Sequence, residues 1–258
     1  MKLINLTEKE IKEIFNIAYT TLKEMNVGID VEIQKRRNRT FNANLPDSHF
    51  YKILVRDTLG GGKKAKFVEK EMRDIEKAFA DFNIEKVSEY SENDLNDLRF
   101  VKRKINDSIQ NARVMKEISK KYGSFGQYLK SQYEENLDEM ALASELEQFG
   151  SVRLPIALNF LKDIGIDAIK PDTHIFRVLY RLGLLDSEKN KKNIYKVRKL
   201  AELMKPTPSE KLSIIDAVLW KYGMEVCKAD KDKPLCNKCH LKTHCRKYSK
   251  KEKRSNKN

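Results

Sequence analysis

Four cysteines close together near the C-terminal end constrain this chain more than any other feature: Cys227-x8-Cys236-x2-Cys239-x5-Cys245. Thiolates bind soft metals, and two cysteines three residues apart can turn back onto one metal centre. A disulfide framework fits poorly. The opening stretch, Met1 to Phe15, turns acidic before any signal-peptide apolar run develops, which points to a reducing compartment. The cysteines sit among lysines in a Pro-containing loop with almost no apolar material of its own. Such a loop needs a metal to fold. Zinc and a [4Fe–4S] cluster both accept four thiolates, and spacing alone does not separate them. His240 and His244 lie inside the loop and read as surface or phosphate-contacting residues, since four thiols already complete a site.

The positive charge shares this address. Residues 228–258 carry ten lysines, two arginines and three acids, so +9 of the chain's +14 lies there. Tyr248 to Asn258 reads equally as a solvated tail or a phosphate-facing surface. An isoelectric point near 9.4 points to nucleic acid. No apolar stretch is long enough to span a membrane, so a membrane protein is excluded from the expectation.

Apolar spacing predicts helices nearly throughout. Glu8–Met25 places Ile11, Ile14, Phe15, Ala18 and Leu22 on one stripe. Further amphipathic runs cover 47–59, 67–82, 105–122, 138–149, 155–164, 172–182, 194–204 and 209–222. Ser91-Glu92-Asn93-Asp94 is predicted to open a short helix. Ile29–Thr40 alternates weakly and reads as a strand or an extended arm. The expected class is all-α.

The stretch from Leu219-Trp220-Lys221-Tyr222-Gly223 through Cys227, Pro234 and the last three cysteines resembles the cluster loop of the endonuclease III family of DNA glycosylases. That family belongs to the helix-hairpin-helix glycosylase superfamily. The usual loop is two residues shorter between the first two cysteines, and the remaining spacing agrees. The resemblance implies a [4Fe–4S] cluster on Cys227, Cys236, Cys239 and Cys245, with zinc as the alternative.

Pro171-Asp172-Thr173-His174-Ile175-Phe176-Arg177-Val178 is similar to the signature that carries the superfamily's catalytic aspartate, so the resemblance gives Asp172 that role. Cleaving an N-glycosidic bond builds positive charge on the deoxyribose, which a fixed carboxylate stabilises. The same group can orient or deprotonate the attacking water. An aspartate after proline is also an ordinary helix cap.

Phe149-Gly150-Ser151-Val152-Arg153 occupies the place of the superfamily's DNA-binding hairpin. Backbone N–H groups there approach a phosphate. Gly150, Ser151 and Arg153 are therefore expected DNA contacts, although Val152 stands where a second glycine is usual. Lys228, Lys231 and Lys233 of the cysteine loop join them. Where bifunctional members carry their Schiff-base lysine, this chain has Leu154, so the resemblance implies base release without lyase strand cleavage.

The middle of the chain, from Ala78-Phe79-Ala80-Asp81-Phe82 to Tyr122-Gly123-Ser124-Phe125, is similar to the DNA-3-methyladenine glycosylase I family. Asp57 falls about where that family has its base-recognising glutamate. The family's pocket tryptophan and terminal zinc ligands have no counterpart. The Gly60-Gly61-Gly62-Lys63-Lys64 turn is a candidate for close approach to DNA, or a simple interhelical loop.

The implied architecture is two helical domains flanking a DNA-binding cleft. Residues 47–165 would form a six-helix domain with the hairpin, and 1–46 plus 166–258 a second helical domain carrying the cluster loop, with Asp172 at their junction. The implied function is a monofunctional DNA N-glycosylase of base excision repair acting on an alkylated purine such as 3-methyladenine. Its partner would be double-stranded DNA with a damaged base. A cytoplasmic or nucleoid-associated monomer is expected. The alternatives are release of uracil, mismatched thymine or an oxidised purine, a non-catalytic lesion-binding protein, and a zinc-organised DNA-binding regulator.

Overall fold

The computed structural model describes residues 6–91, 93–95, 98–136, 138–187 and 193–248. Among them there are helices and turns and no strand. The helices are α1 (Glu8–Glu24), α2 (Ile29–Asn38), α3 (Asp47–Gly60), α4 (Ala65–Ala78), α5 (Ile84–Val87) and α6 (Lys102–Tyr122). Next come α7 (Phe125–Asn136), α8 (Glu139–Glu145), α9 (Leu154–Ile164), α10 (Thr173–Arg181), α11 (Asn193–Met204) and α12 (Leu212–Glu225). No helix among the described residues is long and apolar enough to cross a membrane.

The chain forms two compact units, one of Met1–Arg39 with Ile169–Asn258 and one of Thr40–Ala168. The first is built on α12, whose sequence is apolar on nearly every side and therefore sits at the centre of its unit. It buries Leu212, Ile214, Ile215, Ala217, Val218, Leu219 and Tyr222, and packs against α10, α1, α2 and α11. In the second unit α3 packs on α6 and α9. Its core is aromatic: Phe125 meets Phe149, Phe50 and Phe160 at ring-centre distances of 5.7, 6.0 and 6.4 Å. Such edge and tilted contacts are the favoured geometries for ring quadrupoles.

Three local expectations need correction. Ile29–Thr40 is not extended, because residues 29–38 form α2. Its alternation concealed an i, i+4 pair: Ile29 and Ile33 are buried together, and Arg36 reaches back to Glu32 at 2.7 Å. Around Ser91 the described residues form a turn, with Asp94 accepting from the Ser91 N–H at 2.6 Å. The third is α7, which the apolar-run reading missed although Phe125, Tyr128 and Leu129 supply a helical stripe. Residues 249–258 of the basic tail lie outside the described residues.

Candidate active site and cysteine loop

Pro171 fixes an extended entry, and Asp172 follows with φ −97° and ψ 179° as the N-cap of α10. Its Oδ1 accepts the backbone N–H groups of His174 at 2.8 Å and Ile175 at 3.0 Å. Capping thus occupies one oxygen of the half-buried carboxylate. The other, Oδ2, has no hydrogen-bond partner among the described residues.

Helix α10 also carries the loop. Arg177 and Arg181, one turn apart, are 8% and 7% exposed, burial that arginine tolerates only with partners. Arg177 donates from Nε to the Cys227 carbonyl at 2.7 Å and from Nη2 to the Gly223 carbonyl at 2.7 Å. Arg181 donates from Nη1 to Cys227 Sγ at 3.4 Å and to the Lys228 carbonyl at 2.8 Å, and from Nη2 to Asp230 at 2.7 Å. Arg246 closes the far end on the Gly183 carbonyl at 2.7 Å. The loop that begins at Cys227 is therefore bolted to the helix that Asp172 caps. The sequence signal for these clamps was two arginines four apart on an otherwise apolar helix.

His174 lies between the two features. Arginine has no acceptor, so the 2.9 Å contact from Arg177 Nη2 makes His174 Nδ1 the acceptor and leaves the ring proton on Nε2. Trp220 of α12 backs the ring edge-on at 6.3 Å. Gly223 allows this approach, since a Cβ there would meet His174 Cβ at 2.8 Å and its carbonyl oxygen at 2.9 Å. Gly223→Ala is expected to destabilise the protein by about 1–3 kcal/mol by pushing α12 off α10. Urea unfolding checks this, and an unchanged midpoint would speak against the tight contact.

The four cysteines are half-buried and unpaired by disulfides. Burial pushes the Cys227 thiol up, Arg181 opposes that shift, and Cys239 and Cys245 add to it. Burial also raises Cys239, the Tyr222 hydroxyl 3.0 Å away opposes it, and Cys245 and Cys236 push further up. Cys227 and Cys239 thus feel the neighbouring thiols. Among the described residues no three metal-binding side chains close on a single-ion point. The donor chemistry nevertheless suits a soft metal group: four thiols on one loop, with Arg181 and Tyr222 hydrogen-bonded to Cys227 and Cys239. Lys231 and Lys233 stand exposed on the loop and Lys228 is half-buried.

The other predicted residues belong to the second unit. Gly150 donates its N–H to Asn111 Oδ1 at 2.6 Å and accepts from Asn111 Nδ2 at 3.1 Å. A Cβ on Gly150 would meet Asp107 Cβ at 2.9 Å, so this glycine is needed for close packing on α6. The Ser151 hydroxyl is bonded to Asp107, and Ser151 takes φ +57°, the left-handed region. Val152 is fully buried, so it serves the core where a second glycine is usual. The N–H groups of Ser151 and Arg153 have no partner among the described residues, and the Arg153 side chain is exposed. Leu154 opens α9, with its N–H held by Glu147 at 3.1 Å.

Asp57 is 6% exposed as a side chain. Arg56 binds its Oδ1 at 2.8 Å and also reaches Asp163, while Asn159 donates to Oδ2 at 2.8 Å. Burial raises the Asp57 carboxyl, Arg56 pulls it back, and Asp163 pushes it further up. In the Gly60–Gly62 turn, Lys104 Nζ donates to the carbonyls of Thr58 at 2.9 Å and Gly61 at 2.6 Å. The turn is held rather than loose.

A family model for methyladenine glycosylase matches residues 42–195, which include Asp57, the hairpin and Asp172 but not the cysteine loop. Endonuclease III of Sulfolobus acidocaldarius is 37% identical over 78 residues, 30% of this chain and 31% of that protein, so the similarity spans about a third of the relative. Two solved structures share the fold at 17% identity. One is a trapped endonuclease III–DNA covalent intermediate, with TM-score 0.57 over 89% of this chain and 98% of that one. The other is a non-covalent endonuclease III–DNA complex, with TM-score 0.60 over 96% and 99%. Because the family model covers more than half of its residues, this chain belongs to the methyladenine glycosylase family, within the helix-hairpin-helix glycosylase superfamily.

Proposed function

We propose that this protein is a monofunctional DNA N-glycosylase that releases an alkylated purine from double-stranded DNA. The observation that carries the reading is the divided role of Asp172: Oδ1 is spent on the α10 cap and Oδ2 is unengaged. A carboxylate so fixed stabilises the positive charge that builds on the deoxyribose as the glycosidic bond breaks. It also orients the attacking water and accepts its proton. An alkylated purine is already a cationic leaving group, so no strong general acid is required of the protein. Leucine at position 154 offers no amine for a sugar imine, which supports hydrolysis over lyase cleavage.

Asp57 is proposed as the base-facing carboxylate, with Arg56, Asn159 and Asp163 as its fixed neighbours. Two surfaces support a DNA partner. One is the cysteine loop with Lys228, Lys231 and Lys233. The other is Val101, 54% exposed, next to the exposed cations Lys102 and Arg103 at the start of α6. An exposed apolar side chain among cations suits insertion into a base stack that has lost a base. Gly150, Ser151 and Arg153 are proposed to meet a phosphate, Ser151 and Arg153 through their unpartnered N–H groups and the arginine, and Gly150, whose N–H is held by Asn111, through the close approach its bare backbone allows.

Cys227, Cys236, Cys239 and Cys245 are proposed to hold a [4Fe–4S] cluster, with zinc as the alternative. Its contribution when bound is structural, giving the lysine-bearing loop a fixed shape. Brown colour with acid-labile sulfide in anaerobically purified protein supports the cluster, and stoichiometric zinc without sulfide contradicts it.

The substrate assignment is tested with duplexes carrying 3-methyladenine, uracil, a mismatched thymine or an oxidised purine. The alkylated base is expected to be released fastest, and borohydride should trap no covalent complex. Release of uracil but not of 3-methyladenine would refute the substrate class, and a trapped imine would refute monofunctionality.

A further inference from the structure

The buried Asp216 and the half-buried Arg36 take no part in the chemistry above, and both fall outside the residues that the family model matches. Asp216 is 2% exposed on α12, with Ile214, Ile215, Ala217 and Val218 buried around it. A carboxylate at such a place is costly unless its lone pairs are met by charge and hydrogen bonds. Its Oδ1 accepts the backbone N–H of Lys170 at 2.8 Å, and its Oδ2 faces Arg36 Nη1 at 3.3 Å. The Lys170 carbonyl in turn accepts the N–H of Asp172 at 2.9 Å.

Residues 169–172 belong to no helix, so their position depends on such outside contacts. The flanking side chains of Ile169 and Pro171 are buried. Arg36 is itself braced, by Glu32 at 2.7 Å. The end of α2 is clipped by Lys211 Nζ, which donates to the carbonyls of Arg37 and Arg39 at 2.9 Å each, and Glu210 pairs with Arg37. A continuous line of contacts runs from α2 through Asp216 to the peptide that precedes Asp172.

We infer that Asp216 and Arg36 are positioning residues for Asp172, holding the 169–171 backbone so that the free carboxylate oxygen keeps a fixed direction. This rests on Asp172 being the catalytic carboxylate. It gives the N-terminal segment, which the family model does not match, a part in the reaction. A displacement of an ångström at a reacting group can cost about a hundredfold in rate, so a backbone clamp next to Asp172 acts on the chemical step rather than on DNA affinity.

The test uses the full chain purified with its metal group. Single-turnover base release is measured at saturating protein and normalised by active-site titration. It is paired with the Kd for a duplex holding an uncleavable abasic analogue, and with amide hydrogen exchange at Lys170 and Asp172. Asp216→Leu is expected to lower the rate constant about 30-fold, leave the Kd within about threefold, and accelerate exchange at both amides. Asp216→Asn, whose amide oxygen can still accept from Lys170, should stay within about fivefold of the parent. Arg36→Lys should recover most of what Arg36→Met loses.

A merely structural role predicts lower melting and a smaller active fraction with an unchanged rate constant per active molecule, and that result overturns the inference. Should Asp216→Leu fail to fold, the Arg36→Met and Arg36→Lys pair decides on the same readouts. If the parent protein releases no base, exchange still discriminates. Faster exchange at Lys170 then upholds the clamp while the reading of Asp172 falls, and unchanged exchange overturns the clamp itself.

Discussion

Asp172→Asn is expected to slow single-turnover base release by about a thousandfold, with DNA affinity and melting temperature nearly unchanged. The two jobs of this side chain are separable. Asparagine is as good an N-cap as aspartate, so its oxygen can take over the bonds to the His174 and Ile175 N–H groups. What disappears, in the proposed mechanism, is the negative charge that would face the sugar cation and the base that would accept the water proton. Asp172→Ala removes the cap as well and should cost about 1 kcal/mol of stability besides the rate. If Asp172→Asn keeps the parental rate, the residue is a cap alone and the mechanism is wrong. If it loses rate only in proportion to lost folded protein, the same conclusion follows.

Cys239→Ser should be the most damaging substitution for the fold of the loop. Metal binding to a site that does not pre-exist in the unfolded chain is folding free energy. Loss of one ligand is expected to cost about 3 kcal/mol or more, or roughly 10 °C in melting temperature at this size. The damage would not stay local. Cys227 is the anchor for Arg177 and Arg181, so a slack loop leaves two buried guanidinium groups short of partners on the helix that Asp172 caps. DNA affinity should fall about tenfold and lose part of its salt dependence as Lys231 and Lys233 lose their placement. Wild-type melting and affinity in Cys239→Ser, with no loss of metal or sulfide, would show that the thiols do not organise the loop. Lys231→Glu with Lys233→Glu provides the matched control: weaker binding and a flatter salt slope, with a nearly intact rate on bound DNA.

Much of this was legible in the sequence because its signals are local. The Pro-Asp start of α10 and the i, i+3, i+4 stripes each fix a short stretch without reference to the rest of the chain. Long-range pairings left no such trace. Nothing near Arg36 announces Asp216, 180 residues away, and nothing near Lys170 announces the same carboxylate. The strand expectation for 29–40 failed because short charged helices alternate almost as well as strands do; the Glu32–Arg36 pair was the stronger signal. Val152 illustrates the opposite case, a departure from the family pattern that becomes intelligible once its side chain is seen fully buried. The hairpin glycine has a packing duty against Asp107 that the sequence did not hint at.

The most direct test of the central claim is chromatographic detection of free base from methylated duplex DNA, with the same DNA scored for strand breaks before and after hot alkali. The account predicts free 3-methyladenine, intact strands before alkali and breaks after it, all lost in Asp172→Asn. No free base from any lesion in the panel with the metal-loaded protein, or breaks that form without alkali, would contradict it.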